Sequence, residues 1–357
     1  MAPPPLMEEL EEEVLLRFPP HEPALLLRAA LVCKRWRRLV SGPAFRRRFR
    51  DLHRTPPMLG FLCNLVGDAS KSCFVPAAGA FRSPGADLCR CVALDARHGR
   101  VLLQRPGISE DALVVWDPIS DEKLELSTPV PRRYPYNWTA AVLCAAGGTC
   151  DHLDCHRGPF LLVYVGSCVS RKVFICTYSS DAGTWSELIT AELPLDLVGL
   201  MASVLVGNAL YFGFPFTKSL LKYDLESHEI SVIGVPHTLS FWRHVVLDGG
   251  LALATVHESK LCIWRKTGHE EDAGWTQDMV IELETKLPRR AILASPNVVG
   301  FADGTGVIFL RAGYVLFTID LKTYQAKKVF NGKDIYSAIL YMSFYTPALG
   351  AACTDEG

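Results

Sequence analysis

Val206-Gly207-Asn208-Ala209-Leu210-Tyr211-Phe212, then Leu220-Leu221-Lys222-Tyr223-Asp224, then Ile230-Ser231-Val232-Ile233, is the stretch whose reading decides the fold. An apolar strand meets a Gly-Asn turn, returns as a second strand, and repeats the reversal through polar turns. Glycine and asparagine supply the positive φ that tight hairpins demand, so the stretch reads as an antiparallel meander. The same order recurs on both sides of it. Arg97-His98-Gly99-Arg100, Asp248-Gly249-Gly250-Leu251 and Asp303-Gly304-Thr305-Gly306 are matching turns, followed by Val101-Leu102-Leu103, Leu251-Ala252-Leu253 and Val307-Ile308-Phe309. A further strand comes after each, such as Leu113-Val114-Val115-Trp116-Asp117 or Val315-Leu316-Phe317-Thr318-Ile319-Asp320. Aligning Val101, Phe160, Leu210, Leu251 and Val307 gives steps of 59, 50, 41 and 56 residues. That is the length of a four-stranded propeller blade. Five blades follow directly. A sixth is composed of the last strand, 338–345, with the first strands of the region, 58–65 and 73–75. Joining both ends in one blade closes the ring and leaves no open edge. An open β-sandwich array is the alternative.

Upstream of residue 58 the period changes. Residues 1–57 contain 1 of the 27 glycines and 11 Lys+Arg against 7 Asp+Glu, a net +4; the remainder is −5. The sum over 357 residues, −1, excludes a chain dominated by attraction to nucleic acid or anionic membrane, and the 49% apolar content excludes a disordered one. Two units are therefore expected, a helical domain over 1–57 and a β-propeller over 58–357. The N-terminus lacks a signal-peptide pattern, and the 12 cysteines are diluted, several of them within apolar runs. This points to free thiols in a reducing compartment, cytoplasmic and/or nuclear. Residues 197–217 carry no charge, but Gly207-Asn208 divides them, so two buried strands are expected there and no membrane span.

Leu6, Leu10, Val14 and Phe18 recur every fourth residue with glutamates between them, which predicts an amphipathic helix stopped by Pro19-Pro20. Pro23 opens a second helix, Val32, Trp36 and Leu39 mark a third, and Ser41-Gly42-Pro43 precedes a fourth with Phe45, Phe49 and Leu52 on one face. So small a module is marginal alone and should lean on a partner.

The run Glu13-Val14-Leu15-Leu16-Arg17-Phe18-Pro19-Pro20, then Pro23-Ala24, then Arg28 through Leu39 with Val32-Cys33-Lys34-Arg35-Trp36 inside it, resembles an F-box. Met7 and Glu11 stand where that family usually has Pro and Leu. The later segments Gly99-Arg100-Val101-Leu102-Leu103, Val114-Val115-Trp116-Asp117-Pro118 and Cys150-Asp151-His152-Leu153-Asp154-Cys155 are similar to plant F-box proteins with an associated propeller, notably the large grass set. The resemblance implies a non-catalytic substrate receptor: the F-box docks on a Skp-type linker of a cullin–RING ubiquitin ligase, and the propeller holds a protein target. It also implies that Leu6, Leu10, Val14, Leu15 and Pro19 grip the linker, with Val32, Cys33 and Trp36 behind or beside them. A scaffold acting without ubiquitylation is the alternative.

In a propeller, blade-to-blade loops and second-to-third-strand loops share a face. Those loops carry Arg132, Arg133, Tyr134, Tyr136, Trp138, Phe214, Phe216, Trp242, Arg243, Arg289 and Arg290, residue types enriched at interface hot spots. They are the candidate surface for a target of acidic character. Residues 28–54 hold ten Lys+Arg, but without aromatic interleaving of a kind suited to base stacking, so nucleic-acid binding is not expected. Cys150, His152, Cys155 and His156 are metal-ligand types, yet four ligands within seven residues cannot readily wrap a tetrahedron. No metal, cofactor or catalytic residue is expected, since nucleophile elbow, phosphate loop and zinc-protease helix are all missing from the sequence.

Overall fold

The computed structural model describes residues 8–65, 71–77, 88, 90–107, 111–130, 136–146, 150–168, 171–268 and 274–345; for Glu8 and Tyr136 it describes the backbone alone. The chain begins with four short helices: α1 (Glu8–Leu16), α2 (Pro23–Val32), α3 (Lys34–Ser41) and α4 (Pro43–His53). Proline opens α2 and α4, where a missing N–H costs nothing. Cys33 turns extended, and its Sγ accepts the Trp36 amide at 3.4 Å, capping α3. Leu15, Leu16, Leu26, Ala29, Val40, Phe45 and Phe49 form the helical core. Glu11, the departure noted above, is structural: its carboxylate accepts Trp36 Nε1 at 3.0 Å and pairs with Arg35 Nε at 3.2 Å, tying α1 to α3.

Strands β1 (Met58–Leu65) and β2 (Lys71–Pro76) follow, and five further blades separate them from the strand that completes their sheet. Three blades are four-stranded meanders of β3 (Val92–Arg97) to β6 (Lys123–Ser127), β12 (Val204–Val206) to β15 (Ile230–Gly234), and β16 (Arg243–Leu247) to β19 (Trp275–Glu282). A fourth runs from β20 (Asn297–Ala302) through β21 (Val307–Ala312) and β22 (Val315–Asp320) to β23 (Ala326–Asn331). The remaining one has β7 (Tyr136–Cys144), β8 (Phe160–Cys168) and β9 (Lys172–Ser179), with the short outer pieces β10 (Thr184–Trp185) and β11 (Ile189–Glu192) both paired to β9. The five aligned positions, Val101, Phe160, Leu210, Leu251 and Val307, all fall on second strands.

β24 (Ile335–Met342) is the inner strand of the sixth blade and pairs with β1, in the register Met58↔Met342 and Cys63↔Ala338. The ring thus closes with its two ends in one sheet, although the closing strand starts and stops three residues earlier than the apolar run suggested. The uncharged 197–217 run is two strands joined at Gly207-Asn208, with Val206 paired to Ala209 and Gly207 at φ 59°, the geometry of a type II′ hairpin. Among the described residues no helix is long and apolar enough to cross a membrane.

Inner strands approach closely. A Cβ on Gly300 of β20 would lie 2.3 Å from the Ala338 carbonyl oxygen of β24, so only glycine fits. Buried polar groups latch the ring beside it. Asn64 donates to Ala93 O at 2.7 Å and Ser337 Oγ at 2.9 Å, and accepts the Ala93 amide at 2.9 Å. First-to-second and third-to-fourth turns emerge on one face, and the second-to-third turns and blade connections on the other. Because α4 leads into β1 beside the end of β24, the helices cover the first face. There Phe344 enters the helical core, edge-on to Phe49 at 6.2 Å, with Leu153 beside it, and Arg50 pairs with Asp154 at 2.7 Å. The partner that so small a helical module needs is first of all its own propeller.

Candidate functional sites

The helical module buries one side against the propeller and exposes apolar side chains on another. Leu10 is 48% exposed, Val14 54%, Leu31 80% and Val32 66%, with Cys33 exposed beside them. So many exposed apolar side chains on a small module mark it as interacting surface. Leu15, expected at that surface, lies in the helical core instead: the helical turn that points Leu10 and Val14 outward points Leu15 and Leu16 inward. Trp36 is half-buried and tied to Glu11, and Pro19 is half-buried. Leu6 lies outside the described residues. Leu31 escaped the sequence reading because it neighbours Val32 in an apolar run that looks like core. The basic run is partly neutralised within the molecule, Arg48 pairing with Glu12 at 2.8 Å and Glu13 at 2.6 Å.

The face away from the helices is narrower than expected. Trp138 is buried, stacked on Tyr164 at 5.3 Å with Nε1 donating to Asp111 at 3.3 Å. Phe214 and Trp242 are core residues too, because each belongs to or directly precedes a strand and its side chain points between blades. Arg243 is largely buried at the propeller axis, where desolvation pushes its guanidinium below the usual range. Arg132, Arg133, Tyr134 and the Tyr136 side chain lie outside the described residues. What stands free is Phe216 and, in loops of the same face, Phe241 and Tyr314, with Leu293, Arg289 and Arg290 exposed on α5 (Arg289–Leu293). Phe241 sits at φ 50°, turned outward where Trp242 turns in.

A cavity of about 470 Å³ runs along the axis. Several of its polar groups hold one another. Asp95 accepts the amides of Ala96 and Val142, each at 2.9 Å, and pairs with Arg97, which also donates to Ser203. Burial pushes the Asp95 carboxyl up, and Arg97 pulls it back. These contacts tie three blades together at the axis.

The connection between β7 and β8 brings together Cys144, Cys150, His152 and Cys155, whose Sγ and ring nitrogen atoms all lie within 4.8 Å of one another. His156 is not in the group; it faces Asp117 at 3.9 Å and Asp154 at 3.6 Å. Cys144 is the member that sequence spacing hid, because only the β7–β8 register, Cys144↔Phe160, carries it to the others.

Residues 8–48 match the F-box domain, and residues 92–343 match the family described as F-box protein AT5G49610-like, β-propeller. The chain belongs to this F-box β-propeller family. No curated protein matches the sequence. Among solved structures the F-box protein is similar to a chain of a nidogen/laminin complex, at 12% identity over 80% of this chain and 99% of that one, TM-score 0.48. It is also similar to TolB from Acinetobacter baumannii, at 11% identity over 82% of this chain and 69% of that one, TM-score 0.48. In this F-box propeller the matched F-box contains all four exposed apolar residues, and the matched propeller contains the outward aromatic loops and the Cys/His cluster.

Proposed function

We propose that this F-box propeller is the substrate-recognition subunit of a Skp–cullin–F-box type ubiquitin ligase, acting in the cytoplasm and/or nucleus. The observation that carries the reading is the exposure of Leu10 and Val14 on α1 and of Leu31 and Val32 on α2, in an F-box whose core is already joined to its own propeller. Amphipathic helices that bury one side and leave apolar side chains bare on the other suit helix-in-groove recognition by a Skp-type linker. The target is received on the opposite face, by Phe216, Phe241, Leu293 and Tyr314, with Arg289 and Arg290 favouring acidic partners. F-box and target face then lie at opposite ends of the ring axis. The chain contributes proximity: it tethers target lysines near the ubiquitin-charged enzyme and raises their effective concentration.

The test is reconstitution of the full chain with purified Skp-type linker, cullin and RING subunit. A stable complex is expected, and a Leu10→Ala/Val14→Ala variant should lose linker and cullin together. Undiminished assembly by that variant would contradict the docking reading.

A further inference from the structure

The β7–β8 connection carries a second site, unrelated to either docking surface. We propose that Cys144, Cys150, His152 and Cys155 bind one zinc ion as a closed three-thiolate, one-imidazole site that fastens this connection beside the F-box. Structural zinc is tetrahedral, with Zn–S of about 2.3 Å and Zn–N of about 2.1 Å, so its ligand atoms stand roughly 3.5–3.8 Å apart. His152 Nδ1 and Cys155 Sγ are 3.7 Å apart, and the whole set lies within 4.8 Å, so closure on the metal needs movements of about an ångström at most. The objection from spacing falls away. Cys144 ends a strand while the other three lie in the following loop, so the chain encloses the centre from two directions.

The surroundings fit a thiolate site. The Ala146 amide donates to Cys144 Sγ and the His152 amide to Cys150 Sγ, both at 3.4 Å, each from two residues downstream. Backbone amides aimed at sulfur are the outer contacts that hold a metal-bound thiolate in place. Arg100 is 3% exposed, donates to Cys155 O at 2.8 Å, and its Nη1 has no hydrogen-bond partner among the described residues. Its charge acts on Cys155, Cys144 and Cys150, and on Asp117 beside them. Binding would release three thiol protons to solvent and leave the centre at −1, which the buried guanidinium balances. Softness selects the metal: three sulfurs and one imidazole in a closed set suit zinc over magnesium or calcium.

The site would have a structural consequence, because Leu153 and Asp154 lie between its ligands. Leu153 packs into the F-box core and Asp154 holds Arg50. The metal would therefore clamp the segment on which the F-box rests.

The experiment is metal analysis of the full chain, purified under reducing conditions and dialysed against a weak chelator. One zinc per chain is expected, retained in Cys176→Ser and lost in both Cys144→Ser and Cys155→Ser. Replacement by cobalt in the unmodified chain should give thiolate-to-metal charge-transfer bands and the intense d–d bands of a tetrahedral site, a readout that does not depend on the variants folding. X-ray absorption at the zinc edge should find three sulfurs and one nitrogen. Zinc that persists in the cluster variants, a shell of oxygens, or a folded chain that takes up no zinc while its thiols are reduced would each overturn the proposal.

Discussion

His244 on β16 shows how a single side chain is committed by its surroundings. Its Nε2 lies 2.8 Å from Ala202 O at the ring axis, and burial pushes its pKa down to about 4, with Arg243 and Arg97 adding to the depression. An unfolded histidine titrates near 6.5, so as pH falls the unfolded chain takes the proton first. Stability from this residue is complete above about pH 6.5 and declines toward pH 4, by about 3 kcal/mol in all. Urea unfolding of the unmodified chain and of His244→Gln at several pH values should show a shallower slope for the variant. Equal slopes would contradict the assignment. Residue by residue, identity was legible in the sequence but direction was not. Trp138, Phe214 and Trp242 have the composition of a binding face, yet each lies on or beside a strand whose pleat turns it inward. Phe241 and Phe216, one and two residues away in two of these cases, carry the exposed rings. Leu15 likewise belongs to the right helix and the wrong side of it.

At the scale of elements, the blades repeat a device that the alternating pattern only hinted at. Asp117, Asp224 and Asp320 each follow or end the third strand and accept two backbone amides of the next turn. In Asp224 and Asp320 those amides hold the carboxyl below its usual range. A depressed carboxylate contributes stability that is present above the unfolded value and is lost as pH falls through the folded one. The variant pair Asp224→Asn/Asp320→Asn, which keeps the acceptors but removes the charge, should therefore unfold with a weaker pH dependence below about pH 4. If acid sensitivity were unchanged, these turns would not be its source. Glycine-marked turns such as Gly207-Asn208 were legible because few residues tolerate positive φ. The Glu258-Ser259 turn, with φ of 47° and 61°, was not, since neither residue advertises that conformation.

For the whole molecule, a six-bladed ring closed by the joining of its two ends could be read from repeat length and leftover strands. How the F-box sits on that ring could not, because Phe344, just past a strand, and Leu153, within a loop, look like ordinary apolar residues. Phe344 buries its ring in the helical core, so Phe344→Ser should loosen the F-box without opening the propeller. Limited proteolysis should then cut between α4 and β1, near residues 54–57, at least several-fold faster while the 58–345 fragment stays resistant. Uniform digestion of both parts would argue that Phe344 stabilises the ring itself. Loss of an apolar anchor from an interface costs about 1–4 kcal/mol, or roughly fivefold to a thousandfold in affinity.

That scale sets the most direct test, calorimetric titration of a Skp-type linker into the full chain. Leu10→Ala/Val14→Ala and Leu31→Ala/Val32→Ala should each weaken binding at least tenfold, whereas Phe216→Ser/Phe241→Ser, on the far face, should leave it unchanged. Equal affinity for all three variants and the unmodified chain would contradict the account.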